Sequence, residues 1–134
     1  MQEDYIIRII KDVAKVLAIA LDLFKNGKPD EALALTDETL QKMFDLEADF
    51  SVSEVEKLLM EKKFNVADVK QLLSLLTLRA DFLAAKSNIF AKAEYEKCLG
   101  IIELIEAYSM TFDMAIGCCK SDIYSKINSL NTAL

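Results

Sequence analysis

The spacing of hydrophobic residues along this chain is that of amphipathic helices. Throughout its 134 residues, apolar side chains recur three and four positions apart, which places them on one face of a helix. No run alternates apolar and polar residues as a strand does, and no long linker or low-complexity tract divides the chain. The pattern predicts one all-α domain, residues 1–134, of about five to seven helices packed as a bundle or a short superhelix.

Four long helices are predicted to form two antiparallel hairpins. The helices cover Glu3–Lys25, Pro29–Leu46, Val66–Lys86 and Asn88–Tyr108, so the hairpins comprise residues 3–46 and 66–108. Only a few residues separate the two helices of each pair. Such short connections make the joined helices antiparallel neighbours.

The turn of the first hairpin is specified by the stretch FKNGKPDEALAL. Gly27 can adopt the left-handed conformation that ends a helix. Pro29 suits the first turn of the next helix, where its missing N–H has no cost. Asp30 and Glu31 then stand at the positive end of the helix dipole. Stop and start signals therefore lie within five residues of each other.

Two segments lie outside the hairpins. Residues 51–63 predict a short helical insert packed over one end of the bundle, and residues 110–132 predict one helix or two short ones. The expected helix starts are Ser51 with Glu54 or Ser53 with Glu56, then Asn65 with Asp68, and Ser121 with Asp122 for the final helix.

Buried positions follow from the helix faces. The stripe expected in the first helix is Ile6, Ile9, Ile10, Val13, Val16, Leu17, Ala20, Leu21 and Phe24. Later residues expected to be buried include Leu72, Leu76, Leu83, Phe90, Ala91, Tyr95, Cys98, Ile102 and Met114. A first helix this apolar needs cover on more than one side.

Charge and composition exclude several functions. The chain has no histidine, which removes Ser-His-Asp and Cys-His nucleophilic sites, histidine zinc sites and di-iron sites. Its net charge of −6 disfavours nucleic acid and anionic lipid, so we expect no nucleic-acid and no membrane partner. The opening MQEDYIIRII lacks the basic start of a signal peptide, and we expect a cytoplasmic protein.

The three cysteines, Cys98, Cys118 and Cys119, do not have the number or spacing of a disulfide framework or a zinc site. We interpret them as small core-filling residues in a reducing cytoplasm. A redox or metal role is the alternative.

No motif indicates an enzyme. Glu103 and Glu106 share a helix face, as do Asp37 and Gln41, and paired carboxylates can transfer protons when burial separates their pKa values. Carboxylates as numerous as the 22 here are usually solvated, and P-loop, G-x-G-x-x-G and G-x-S-x-G motifs are absent. We predict no catalytic residue, no cofactor and no metal.

Two arginines interrupt apolar stripes. Arg8 is interpreted as a solvated flank of the first helix, with an ion pair to another helix or subunit as the alternative. Arg79 lies within the stripe of the third long helix. Because a buried charge needs a partner, we predict that Arg79 contacts a carboxylate or reaches solvent at the edge of the stripe.

The stretch NGKPDEALALTDETL resembles the turn and second helix of a tetratricopeptide repeat. In that family small residues stand where two helix axes cross, and Ala20, Ala32 and Thr39 occupy those positions here. The resemblance covers residues 13–44. A second, weaker copy is LLTLRADFLAAKSNIFAKAEYEKCLGII, in which Arg79 and Lys86 replace the expected small residue and glycine.

The N-terminal stretch EDYIIRIIKDVAKVLA is similar to the opening of a family of small bacterial all-helical proteins that begin with Asp-Tyr-Ile-x-Arg-x-Ile. This resemblance implies tetratricopeptide-like hairpins and a bacterial cytoplasmic setting. It implies no activity.

The tetratricopeptide resemblance implies a non-enzymatic module that binds a protein or peptide on the face formed by the first helices of the repeats. Carried over by position, that face would contain Ala14, Leu17, Leu21, Phe24 and Lys25, and near the second unit Leu76, Arg79, Phe82 and Leu83. One alternative is that this face is core, covered by the insert and the C-terminal helix. Another is a self-associating homodimer with no separate groove, because large apolar surfaces mark interfaces.

Overall fold

The regular structure of this protein is helical. The computed structural model describes residues 2–109 and 113–132, with side chains described from residue 8 to residue 131 of these ranges. They contain α1 (Gln2–Lys25), α2 (Pro29–Phe44), α3 (Val52–Met60), α4 (Val66–Ala84), α5 (Asn88–Tyr108) and α6 (Met114–Thr132). The predicted all-α fold with five to seven helices is confirmed. None of these helices is both long and apolar enough to cross a lipid bilayer.

The first hairpin turns where its sequence predicts. Gly27 has a φ of 77°, and the N–H of Lys28 donates to the carbonyl of Leu23 at 2.9 Å. Pro29 is the first residue of α2. A left-handed residue that closes one helix, followed at once by proline, brings α1 and α2 together as antiparallel neighbours.

Two helices end before their predicted boundaries. α2 stops at Phe44 rather than Leu46, because Asp45 adopts a left-handed φ of 54°. The N–H of Leu46 then donates to the carbonyl of Leu40 at 3.1 Å, which closes the helix end. α4 stops at Ala84, two residues before the predicted Lys86.

Polar caps begin the middle helices as predicted. The side chain of Ser51 accepts a hydrogen bond from the N–H of Glu54 at 3.3 Å. Asn65 and Asp68 exchange two bonds: the Asn65 side chain accepts from the Asp68 N–H at 2.8 Å, and the Asp68 carboxylate accepts from the Asn65 N–H at 2.9 Å. These contacts satisfy N–H groups that a helix start would otherwise leave unpaired.

The C-terminal segment forms one helix, and the predicted start at Ser121 and Asp122 is wrong because both lie inside α6. The carboxylate of Asp113 instead accepts from the N–H groups of Ala115 and Ile116 at 3.0 and 3.3 Å. Asp113 also pairs with Lys70 of α4 at 2.6 Å. One carboxylate therefore caps α6 and ties its first turn to α4.

α4 and α5 form the centre of the fold. α4 packs against α1, α2 and α5, while α5 also packs against α3 and α6. The fully buried residues around this pair include Leu72, Leu75, Leu76, Ile101, Ile102 and Cys98. A smaller cluster of Ala20, Ala32 and Phe82 joins the first hairpin to α4. The hairpins are therefore linked by a large core and a small one.

The insert α3 covers α5. A Cβ atom added to Gly100 of α5 would lie only 2.8 Å from Cγ2 of Val52 in α3, so glycine permits this close approach. Together with the packing of α6 on α5, this places both added helices on the second hairpin. In the described part of the chain, no such layer covers the open side of α1, where Ala14 and Leu21 are exposed.

Several residues predicted to be buried are exposed: Ile10, Leu21, Phe90, Met114 and Cys118. The first two lie on a side of α1 that neither α2 nor α4 covers. Phe90 and Met114 stand in the first turns of α5 and α6, where a helix has fewer neighbours than at its middle. The predicted burial of Ile6 lies outside the described side chains.

Candidate binding face on helix α1

The two sides of α1 have different surroundings. Val13 and Ala20 are completely buried, whereas Ile10 and Leu21 are 41% and 38% exposed. Successive helix residues turn by about 100°, so Ile10, Ala14 and Leu21 lie within a narrow sector beside the buried one. We call Ile10, Ala14, Leu17 and Leu21 the α1 stripe; Leu17 is its half-buried member.

The residues assigned to the binding face divide into two groups. In α1, Ala14, Leu21 and Lys25 are exposed, and Leu17 and Phe24 are half-buried. In α4, Leu76 and Phe82 are fully buried and Leu83 is half-buried against the main core. The placement of Leu76 and Phe82 on an open face is therefore wrong, since α4 is enclosed by α1, α2 and α5.

Phe82 connects the candidate face to the core. Its ring is 1% exposed and stacks on the ring of Phe24, with 4.8 Å between centroids and 22° between planes. Ala20 and Ala32 complete this cluster. One side of the Phe24 ring therefore packs against α4, next to the C-terminal end of the α1 stripe.

Arg79 has the carboxylate partners predicted for it. Its guanidinium pairs with Glu94 of α5 and, at 2.9 Å, with Asp37 of α2. The other oxygen of Glu94 is buried without a hydrogen bond among the described residues, and it lies 3.6 Å from Nζ of Lys97. Because the Arg79 and Glu94 side chains are only 13% and 6% exposed, this charge network is part of the structural core.

Arg79 and Lys86, which depart from the tetratricopeptide pattern in its second copy, both join the hairpins. Arg79 of α4 pairs with Asp37 of α2, and Lys86, two residues after the end of α4, pairs with Asp30 in the first turn of α2. Asp30 and Asp37 are seven residues apart and lie on one face of α2. The two ion pairs therefore run along an antiparallel contact between α2 and the C-terminal end of α4.

A polar cluster lies between α4, α5 and α6 that the sequence pattern does not indicate. The hydroxyl of Tyr95 donates to Asp81, and Nζ of Lys126 donates to the same carboxylate at 3.0 Å. Burial and the Asp81 carboxylate raise the pKa of Tyr95 far above its ordinary value. Lys126 also lines two open clefts of about 320 and 300 Å³. The neutral phenol and the paired charges tie the three helices together.

Two of the three cysteine thiols, those of Cys98 and Cys119, lie in surroundings that disfavour the thiolate. Burial, followed by the charge of Glu94, raises the pKa of Cys98 well above its ordinary value. Burial likewise raises the pKa of Cys119. A thiol that stays protonated is neither a good nucleophile nor a metal ligand. Within residues 2–109 and 113–132, no group of three or more Cys, Asp or Glu residues could hold a metal ion.

The carboxylates considered for acid-base chemistry are in ordinary surface environments. Glu103 and Glu106 are exposed, and Glu106 pairs with Lys120 at 3.0 Å. Asp37 is exposed and pairs with Arg79, while Gln41 beside it is exposed as well. Arg8 is exposed, in agreement with its interpretation as a solvated flank.

Comparison of this chain with family models, curated proteins and solved structures found no match.

Proposed function

We propose that this protein is a non-enzymatic interaction or scaffold module that binds a protein or peptide along the α1 stripe. The observation that supports this best is the exposed apolar surface of α1. Ile10, Ala14 and Leu21 remain exposed although α1 packs against α2 and α4. Contiguous exposed apolar residues on a folded surface are typical of interaction sites.

A tetratricopeptide-like arrangement of the hairpins is part of this proposal. Small residues have no exposed surface at the expected crossing positions Ala20, Ala32 and Ala91, and Thr39 is 4% exposed. α6 packs on α5 as the first helix of a further repeat would. In such an array, α1 would be the first helix that contributes to the binding face, in the bacterial cytoplasmic setting that the sequence resemblance implies.

A substitution within the stripe tests this proposal. We expect Leu21→Asp to abolish partner capture on immobilised full-length protein, because a charge there opposes apolar contact. Ile19→Asp is the matched control, since Ile19 is 50% exposed on the far side of the same helix. Both variants should unfold at similar urea concentrations. Partners that both variants retain would contradict the proposal, and a collapse of the fold only in Leu21→Asp would show that Leu21 belongs to the core.

Self-association through the same face is the second candidate, supported by the same exposed side chains. Light scattering after gel filtration measures it directly. A homodimer predicts twice the chain mass of 15.1 kDa at micromolar concentration and a return to one chain mass in Leu21→Asp. A mass of one chain for the unaltered protein would rule the homodimer out.

A further inference from the structure

The exposed apolar residues of α1 have the spacing by which one helix packs along another. Ile10, Ala14, Leu17 and Leu21 are separated by four, three and four residues, and Phe24 continues the series. These are the a and d positions of a heptad repeat. Among the helices that the structure describes, none packs along Ile10, Ala14 and Leu21 of the α1 stripe, since these residues are exposed.

Positive charge runs along the open edge of this stripe. A row of residues spaced seven apart runs parallel to this series, each member one position after a residue of the series: Lys11, Ala18 and Lys25. The row beyond it contains Arg8, Lys15 and Asp22, and all four cations are exposed. Charged residues in the row directly beside an a/d series, here Lys11 and Lys25, influence which helix pairs with it.

This edge is basic in an acidic protein. Between residues 8 and 25 there are four cations and only two carboxylates, Asp12 and Asp22, whereas the whole chain has a net charge of −6. Two of the four cations, Lys11 and Lys25, lie in the row directly beside the exposed apolar residues, and neither carboxylate lies in that row. A complementary surface would carry carboxylates beside an apolar stripe of its own.

A second copy of this chain fits the face poorly. In an antiparallel pair of α1 helices, Lys11 of one copy would lie opposite Lys25 of the other, and like charges at these positions repel. Charge therefore favours a different partner.

We propose that α1 binds an acidic amphipathic helix of another protein. The apolar a and d residues of that helix would lie along the α1 stripe, and its glutamates or aspartates would pair with Lys11, Lys15 and Lys25. This names the partner class for the function proposed above and rests on it. An anionic membrane would meet the same stripe and lysines, but the acidic remainder of the chain opposes approach to such a surface.

Synthetic helices test the proposal without knowledge of the natural partner. The probe is a fluorescent peptide of about three heptads with leucine at a and d and glutamate at e and g. The control peptide keeps the leucines and has lysine in place of glutamate. Titration with full-length protein, followed by fluorescence anisotropy, should show binding of the acidic peptide only. Raising the salt from about 50 to about 500 mM should weaken that binding.

Charge reversal locates the binding face. Lys11→Glu/Lys25→Glu should weaken binding of the acidic peptide at least about tenfold, and Leu21→Asp should abolish it. Lys42→Glu/Lys57→Glu makes the same change in charge at two exposed lysines on α2 and α3 and should leave the affinity unchanged. Loss of affinity in this control pair to the same extent would overturn the proposal, since net charge alone would then govern binding.

Other outcomes separate this proposal from the function on which it rests. Equal binding of both peptides, or of neither while a natural partner remains sensitive to Leu21→Asp, would refute the acidic helix and leave the interaction module standing. Binding to vesicles of phosphatidylcholine with about 25% phosphatidylglycerol, lost in Lys11→Glu/Lys25→Glu, would refute both and assign the face to membranes.

Discussion

The two hairpins contribute different numbers of large apolar side chains to the core. α4 and α5 bury many completely, among them Leu72, Leu75 and Ile102, whereas α1 and α2 bury Val13 and Leu40 completely. The cluster that joins the first hairpin to α4 contains two alanines, Ala20 and Ala32, beside Phe82. Burial stabilises by roughly 25 cal/mol per Å² of apolar surface, so large side chains contribute more. The second hairpin therefore contributes more buried apolar surface than the first, which leaves α1 partly uncovered.

The charge contacts show the same contrast. Arg79 and Glu94, which join the two helices of the second hairpin, are almost fully buried. Lys86 and Asp30, which join the two hairpins, are 44% and 79% exposed. Removing the partner of a buried charge costs far more free energy of unfolding than removing the partner of an exposed charge, because water cannot replace the partner in the interior.

Among the substitutions that test this comparison, Leu76→Ala should cause the largest loss in free energy of unfolding. Leu76 has no exposed surface, and removal of a buried leucine costs about 2–5 kcal/mol in free energy of unfolding. Leu21→Ala on the partly exposed α1 stripe should cost less than about 1 kcal/mol. Urea unfolding followed by circular dichroism measures both. Equal losses would mean that the first hairpin is as tightly packed as the second.

Arg79→Leu should come next, with a loss of about 3 kcal/mol in free energy of unfolding, because it leaves the buried carboxylate of Glu94 with Lys97 as its one cationic partner among the described residues. Lys86→Met is the matched control and should change stability little, since its ion pair with Asp30 is exposed. Adding Glu94→Gln to Arg79→Leu should recover part of the loss. The same unfolding assay applies, and no recovery would show that Arg79 acts by packing rather than by charge.

Ala20→Leu probes the small cluster of the first hairpin. Ala20 has no exposed surface, and a larger side chain in a filled site costs about 1–3 kcal/mol. Ala14→Leu makes the same change on the exposed side of the same helix and should be nearly neutral. Thermal unfolding distinguishes them. Similar melting temperatures would contradict close packing of α1 on α2.

Gly100→Ala and Gly117→Ala should have small effects of opposite sign. A Cβ at Gly100 would lie 2.8 Å from Val52, while one at Gly117 meets nothing within 4 Å. Alanine favours a helix over glycine by roughly 0.5–1 kcal/mol, so Gly117→Ala should stabilise by that amount. Gly100→Ala should destabilise by about 1 kcal/mol. Adding Val52→Ala should relieve the clash, and stabilisation by Gly100→Ala alone would argue against tight docking of α3.

Local signals in the sequence predicted most of the helix boundaries. Gly27 with Pro29, Ser51 with Glu54 and Asn65 with Asp68 stand where the structure has its turn and its caps. The observed helix boundaries differ from the predicted ones where the sequence carries no clear start or stop signal. Asp45 adopts a left-handed conformation without being glycine, and Asp113 caps α6 from a position that the apolar pattern did not mark.

The candidate site was predictable in α1 and not in α4. Ala14, Leu21 and Lys25 are exposed, whereas Leu76 and Phe82, assigned by the same register, are core. The register correctly places residues on a helix face, but it does not say which neighbours cover that face. The cluster of Asp81, Tyr95 and Lys126 was missed for a related reason, since its members are distant in sequence and meet only when α6 packs on α5.

The sequence by itself determined the helices, the glycine-proline turn, the caps of α3 and α4 and the absence of histidine chemistry. Each depends on the identity of one residue or on contacts within about one helical turn. Tertiary structure decided that α3 and α6 pack on α5, that Arg79 pairs with Glu94 and that the α1 stripe stays open. Burial is set by which distant segments approach one another, and the same apolar spacing fits a core as well as a binding face.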